Sequence, residues 1–327
     1  MLKYFLSIII SIIVISPINL YAQFLGTPVE FLSAITEDEE SKKLSYPSNV
    51  LYEPIKKEIY IIDGRGRILI YNSEFFPLYT LEKGDGVESP QGIAIDKEGN
   101  LYVTQSPSKE NPNGRVSVFD VCMSLKREII LEGFEGSEKF TPNKIAVDET
   151  GNLYLSGNPF PGIVRLSNDG SFIDIISPQE NGKKIQINGI TIDLEGNIYL
   201  ISEEESHIYV YDKKGRFLFR FGEKGGCTGK LSRPQAVAID NKNDRIYVVD
   251  YMRHSVTTYD RFGKYIFEFG GLGWGEGWFQ YPKDIAVDNE GRIIVADTFN
   301  DRIQILKVSE LFIQQRNLAK VEGNETP

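Results

Sequence analysis

An all-β repeat fold is what this 327-residue sequence predicts, and three observations predict it. A proline, a short apolar run and an aspartate recur together along the chain. Each copy is followed by a tight-turn signature and a second apolar run rich in Ile, Val, Leu and Tyr. The spacing is regular: copies begin at residues 47, 90, 142, 187, 234 and 282, with separations of 43, 52, 45, 47 and 48. Units of roughly forty to fifty residues, each reading as four short strands, have the period of propeller blades.

The last copy is the clearest. Pro282-Lys283-Asp284-Ile285-Ala286-Val287-Asp288 is followed by the turn Asn289-Glu290-Gly291, the strand Ile293 to Ala296, and Asn300-Asp301-Arg302-Ile303. Pro90 to Asp96, Pro142 to Asp148, Ile187 to Asp193 and Pro234 to Asp240 repeat it, and Pro47 to Glu53 is a degenerate version. These residues resemble the NHL repeat family, and the match at 282–303 is nearly verbatim. The resemblance spans about residues 28–307 and implies a six-bladed β-propeller of four-stranded antiparallel blades. The third unit departs from it, because residues 157–162 (GNPFPG) replace the usual Asp-containing loop. A six-fold functional pattern is therefore not expected.

Residues 1–22 read as a secretory leader, with Lys3 ahead of an apolar stretch at 5–15 and Leu20-Tyr21-Ala22 at the cleavage position. A membrane anchor would need about twenty apolar residues before the Pro17 and Asn19 interruption. No cysteine stands at the junction, which disfavours a lipoprotein. The expectation is an exported protein, periplasmic or secreted, with no stable membrane insertion after cleavage. The propeller is assigned to 23–310, and 311–327 to a tail with a short helix at most and a disordered end at 322–327.

Closure comes next. The last unit supplies only three strands, ending near Lys307, whereas residues 28–35 look like a lone strand at the other end of the chain. An open ring exposes a strand edge, so 28–35 is expected to complete the last blade. Within the blades, the Asp-x-x-Gly-Asn turns at 96–100, 148–152 and 193–197 supply residues tolerant of positive φ. Their aspartates read as turn devices rather than metal ligands. Arg67, Arg115 and Arg302 open third strands, where each is expected to pair with a loop carboxylate. Cys122 and Cys227 fall in turns on opposite faces of non-adjacent units, too far apart for a disulfide.

Composition narrows the function. A formal net charge of −10 argues against a nucleic-acid surface, which wants clustered Lys and Arg. The only histidines, His207 and His254, fall short of the three or four protein ligands zinc takes. No Ser-His-Asp order, phosphate loop or Cys-His pair survives the strand assignment, so no catalytic residue is assigned. Calcium-dependent lactonases share the six-bladed architecture, and Asn49, Asn143, Asn188 and Asp284 stand at or beside the channel mouth. These four are the metal candidates, with calcium as the one cofactor considered; a calcium-assisted hydrolase or lactonase is the alternative reading.

The reading preferred is a binding or protein-interaction scaffold rather than an enzyme. The proline loops and the loops between second and third strands emerge on one side, here called the proline-loop face. It carries the polar and aromatic loops, including the insertion at 106–114 and the crossover at 270–280 with Trp274, Trp278 and Phe279. The other face carries tight turns. Arg65, Glu204, Tyr251, Arg253, His254 and Trp274 are the expected contacts for a protein, peptide or glycan ligand in the cell envelope. Tyr, Trp and Arg rank first because they join apolar area to a polar handle.

Overall fold

The computed structural model describes residues 27–321, so the leader read at 1–22 and the last six residues, 322–327, lie outside it. Strand β1 (Val29–Ile35) comes first in the chain. Blade one follows, as β2 (Asn49–Glu53), β3 (Glu58–Ile62), β4 (Ile68–Tyr71) and β5 (Pro77–Leu81). Blade two is β6 (Pro90–Ile95), β7 (Leu101–Gln105), β8 (Arg115–Phe119) and β9 (Leu125–Ile130). Blade three is β10 (Thr141–Val147), β11 (Leu153–Asn158), β12 (Ile163–Leu166) and β13 (Phe172–Ile176). A two-stranded ribbon, β14 (Gln179–Glu180) and β15 (Lys183–Lys184), precedes blade four.

Blade four is β16 (Gly189–Ile192), β17 (Ile198–Ser202), β18 (His207–Tyr211) and β19 (Phe217–Phe221). Blade five is β20 (Pro234–Asp240), β21 (Arg245–Asp250), β22 (Ser255–Asp260) and β23 (Tyr265–Gly270). Blade six is β24 (Asp284–Val287), β25 (Ile293–Asp297) and β26 (Arg302–Val308), completed by β1 in the order β1-β26-β25-β24. The first and last strands of the chain thus close the ring, as the sequence predicts. Residues 30–307 form one unit. In the other, Ser309 donates its amide to the carbonyl of Pro28 (3.0 Å), and α1 (Glu310–Val321) follows.

The strand chemistry follows from burial on both faces. The second strands β7, β17 and β25 are buried along their whole length, which is why they read as unbroken apolar runs. Hydrophobic clusters fill the spaces between successive blades. Ile35, Val50, Ile61, Ile294 and Ile303 join blades six and one, and Tyr60, Ile70, Ile93 and Val103 join blades one and two. The register slips just after the proline in β6, β10 and β20. Proline has no amide to donate, so the ladder breaks there.

The Asp-x-x-Gly-Asn turns confirm the aspartate as a turn device. Asp96 takes the Asn100 amide (2.8 Å), the Asn100 side chain (2.8 Å) and the Tyr102 hydroxyl (3.2 Å). Asp148 and Asp193 repeat the set with Asn152 and Tyr154, and with Asn197 and Tyr199. Burial beside its turn carboxylate pushes the Tyr154 hydroxyl up to about 12.

Candidate ligand-binding site

The polar loops of the proline-loop face are built on buried carboxylates. Asp297, at the end of β25, accepts from the Gln280 amide (2.7 Å), the Asn300 side chain (2.8 Å), Arg302 Nε (2.8 Å) and Gln304 Nε2 (3.0 Å). Asp250, at the equivalent position of blade five, accepts four amides, those of Ser232, Arg233, Met252 and Arg253. Asp63 is the counterpart in blade one, where it and Asp38 hold Arg67, each at 2.8 Å. All three aspartates are buried. They shape the face from beneath and present no oxygen to a ligand. The third-strand arginines do pair with carboxylates as the sequence predicts: Arg67 with Asp63, Arg302 with Asp297, and Arg115 with Glu88 and Glu128.

A second repeated device positions aromatic rings. The residue before the third strand is left-handed in four blades, at Gly162 (φ 87°), Ser206 (58°), His254 (55°) and Asp301 (51°), and in blade one Gly66 (74°), two residues before β4, is left-handed too. Glycine adopts that backbone freely. His254 and Asp301 adopt it while their side chains reach the next loop. Asp301 Oδ1 accepts the amide of Tyr46 (2.7 Å), and His254 Nδ1 accepts that of Tyr281 (3.0 Å). Tyr46 (φ 45°) and Tyr281 (φ 50°) are themselves left-handed, each directly before a proline. Bulky residues seldom adopt this backbone, and its strain is held only where neighbours over-determine it.

The result is a row of rings. Tyr46 contacts Phe299 (centroids 5.4 Å apart), Phe299 contacts Tyr281 (5.0 Å) and Tyr281 contacts Tyr251 (4.8 Å). Tyr46 is 52% exposed and Phe299 45%. Thr298 ties the row to blade one by donating its hydroxyl to the carbonyl of Pro47 (2.8 Å).

The six expected contact residues divide unevenly over this face. Tyr251 ends the row. His254 is buried against Tyr281 (4.4 Å between rings), so it positions the row rather than facing solvent. Burial holds its imidazole below the ordinary range, against the opposing pull of Asp250 and Asp297. Arg253 is held by Glu268 through both carboxylate oxygens (2.9 and 3.0 Å) and by the carbonyl of Gly226 (2.9 Å). It borders a shallow pocket with Lys224, Ser232 and Met252. Glu204 is exposed and faces Lys183 at 3.5 Å. Arg65 is an exposed loop residue of blade one. Trp274 is 79% exposed and Trp278 52%, whereas Phe279 of the same crossover is fully buried. Sequence reasoning alone does not single out Tyr46, Phe299 or Tyr281; two tyrosines placed directly before prolines are the signal that points to them.

The four metal candidates are not brought together as a ligand set. Asn49 and Asp284 line the channel mouth, while Asn143 and Asn188 fall one register position earlier and are not among its lining residues. The Asn188 amide oxygen already accepts from the Glu203 amide (3.2 Å). Asp284 Oδ2 bonds Lys144 Nζ at 2.7 Å, so an ammonium stands where a cation would have to approach. Among the described residues, no group of three or more His, Cys, Asp or Glu side chains is placed to hold a metal ion. Nor is any described helix long and apolar enough to cross a membrane.

The first strands of the blades surround a central channel of about 510 Å³. Its proline-loop end is lined by Asn49, Lys144, Gly189, Gln235 and Asp284, and its other end by Pro54, Leu194, Asn241, Lys242 and Asn289.

The sequence of residues 180–262 matches a family described as DUF5128, a 6-bladed beta-propeller, and 279–306 matches the NHL repeat. No curated protein matches the sequence. In fold, the chain is similar to a protein of unknown function from Bacteroides thetaiotaomicron VPI-5482, with a TM-score of 0.66, 16% identity, and coverage of 86% of this chain and 76% of that one. An auxiliary nutrient binding protein from the same organism gives a TM-score of 0.64 at 14% identity, over 88% of this chain and 76% of that one. A streptogramin B lyase gives 0.56 at 16%, over 84% of this chain and 85% of that one. At these identities the likeness is one of fold. The chain is a six-bladed β-propeller that carries an NHL-repeat-like region in its final blade.

Proposed function

We propose that this protein is an exported binding module whose proline-loop face takes a glycan over the aromatic row Tyr46–Phe299–Tyr281–Tyr251. The carrying observation is the row itself. Two of its rings are about half exposed, and two of its tyrosines are held in a backbone that bulky residues avoid. Such strain is retained where a side chain must point in one direction. Aromatic rings supply flat apolar area with a polar tip, the combination that sugar faces and hydroxyls require. The description of fold relatives as nutrient binding proteins favours binding over catalysis. The apolar stretch at 5–15 and Ala22 support export, with Gln23 as the mature N-terminus.

Native gels cast with soluble dextran, xylan, mannan or pectin test the reading. Wild-type protein is expected to be retarded in at least one of them. The double variant Tyr46→Ala/Phe299→Ala should run freely while keeping its melting temperature, since both residues are exposed. Equal retardation of wild type and variant, or none in any gel, contradicts the proposal.

A further inference from the structure

Resting on the reading of the aromatic row as a glycan site, we infer that Trp278 is a second stacking platform beside it, and that the two form one site for an uncharged glycan chain. Trp278 lies in the crossover between blades five and six, against a run of glycines. A side chain at Gly271 would meet Trp278 Cζ3 at 2.7 Å, one at Gly273 would meet its Cβ at 3.1 Å, and one at Gly275 would meet its Cδ1 at 3.5 Å. The indole therefore lies across bare backbone that the glycines leave clear for it. One face is packed in this way, yet the residue is 52% exposed, so the other face is open to solvent. An open, flat aromatic face is what the C–H face of a sugar ring stacks on.

The fold does not require an indole at this position. The crossover between blades four and five is built the same way: Lys224 bridges Leu231 as Leu272 bridges Phe279, and Leu231 and Phe279 are both fully buried. In that copy the place of Trp278 is taken by Lys230, which stands 3.1 Å from a side chain built at Gly225, as Trp278 does at Gly273. The same cradle closes around a lysine. A half-exposed tryptophan in it is therefore not explained by packing.

The platform is braced to the row. Phe299 donates its amide to the Gln280 carbonyl (3.1 Å), and the Asn300 side chain donates to the Gly273 carbonyl (2.9 Å). Arg302 donates to the carbonyls of Gly275 (2.7 Å) and Trp278 (3.1 Å). The loop that carries Phe299 thus holds the crossover that carries Trp278, and a chain leaving one meets the other. Charge narrows the class of ligand. Glu276, which is exposed, is the only charged side chain between residues 270 and 282, and the whole chain has a formal net charge of −10. An anionic lipid surface, a nucleic acid or an acidic glycan is repelled there. Sugar hydroxyls, by contrast, can donate to the Glu276 carboxylate.

The chain has two tryptophans, Trp274 and Trp278, so its tryptophan fluorescence reports on this crossover alone. Dextran, xylan and mannan are the probes, with pectin as the acidic comparison. At least one of the three neutral polymers is expected to retard the wild type in a native gel. The same polymer should change the fluorescence of Trp274→Phe, in which Trp278 is the sole reporter. Trp278→Lys keeps the crossover, as Lys230 does in the other copy, and should need about tenfold more polymer for half-retardation. The fluorescence response should also weaken in Tyr46→Ala/Phe299→Ala, because one chain occupies both places. If a polymer retards the wild type but leaves the fluorescence of Trp274→Phe unchanged, or retards Trp278→Lys equally, the platform is refuted and the reading of the row stands. An undiminished fluorescence response in Tyr46→Ala/Phe299→Ala would mean that the two are not one site. Retardation by pectin alone would overturn the uncharged class, and retardation by none of the polymers would overturn the row and its extension together.

Discussion

Acidification should loosen one end of the aromatic row, and His254 is the group through which it acts. Its Nδ1 accepts the Tyr281 amide at 3.0 Å, so the neutral ring carries its proton on Nε2. Protonation of Nδ1 turns that acceptor into a donor and strands the amide, at a cost of about 1–3 kcal/mol. The left-handed backbone of Tyr281 stores a comparable amount, about 1–3 kcal/mol, so losing the bond is enough to free it. The folded protein holds the imidazole below its ordinary pKa, chiefly by burial. The unfolded chain then takes the proton first as pH falls. Stability from this site is complete above about pH 6.5 and is lost as pH drops through the lower folded-state value. Urea unfolding between pH 7.5 and pH 5 measures it. His254→Asn keeps an acceptor that does not titrate, much as Asp301 serves Tyr46 at 2.7 Å in the next loop. Wild type should lose up to about 2 kcal/mol over that range, the most one histidine can contribute there, and His254→Asn clearly less. Equal pH slopes in the two proteins would refute the role given to His254.

Two further outcomes follow from the frame of the ring. Deleting residues 23–35 removes β1 and the fully buried Ile35 and uncovers the edge of β26; a loss of about 3–5 kcal/mol is expected, and an unchanged urea midpoint would mean that β1 does not hold the ring closed. Asp297→Ala leaves the Gln280 amide and Arg302 Nε without an acceptor, removes one of the bonds made by Asn300 and by Gln304, and should cost about 3–5 kcal/mol, which thermal unfolding would show as a markedly lower melting temperature.

The architecture is legible in the sequence because it repeats. Six motifs of similar spacing, five of them proline-led, set the number of blades, and the mismatch between three strands at one end and one at the other sets the closure. Turn aspartates such as Asp96 are legible too, since Asp-x-x-Gly-Asn carries its own backbone chemistry. The binding face is less so. Asp63, Asp250 and Asp297 look like surface carboxylates in a polar loop, yet each is turned inward to hold the loops from beneath. His254 reads as a tip residue until the next blade's Tyr281 is placed against it, 27 positions away. Lys144 illustrates the same limit. It aligns with Asn49 and Asp284 in the repeat, but only ring closure brings it to Asp284, 140 residues on. Repeats encode the blade locally, whereas the site is made of contacts between blades.

Hydrogen exchange followed by mass spectrometry, with and without a polysaccharide that retards the protein, tests the binding face most directly. Protection is expected in peptides covering residues 45–48, 279–283 and 297–301, the segments that carry Tyr46, Tyr281 and Phe299. Peptides covering the turns at 97–100 and 194–197 should exchange as in the free protein. Protection confined to those turns, with the three aromatic segments unchanged, would contradict the account.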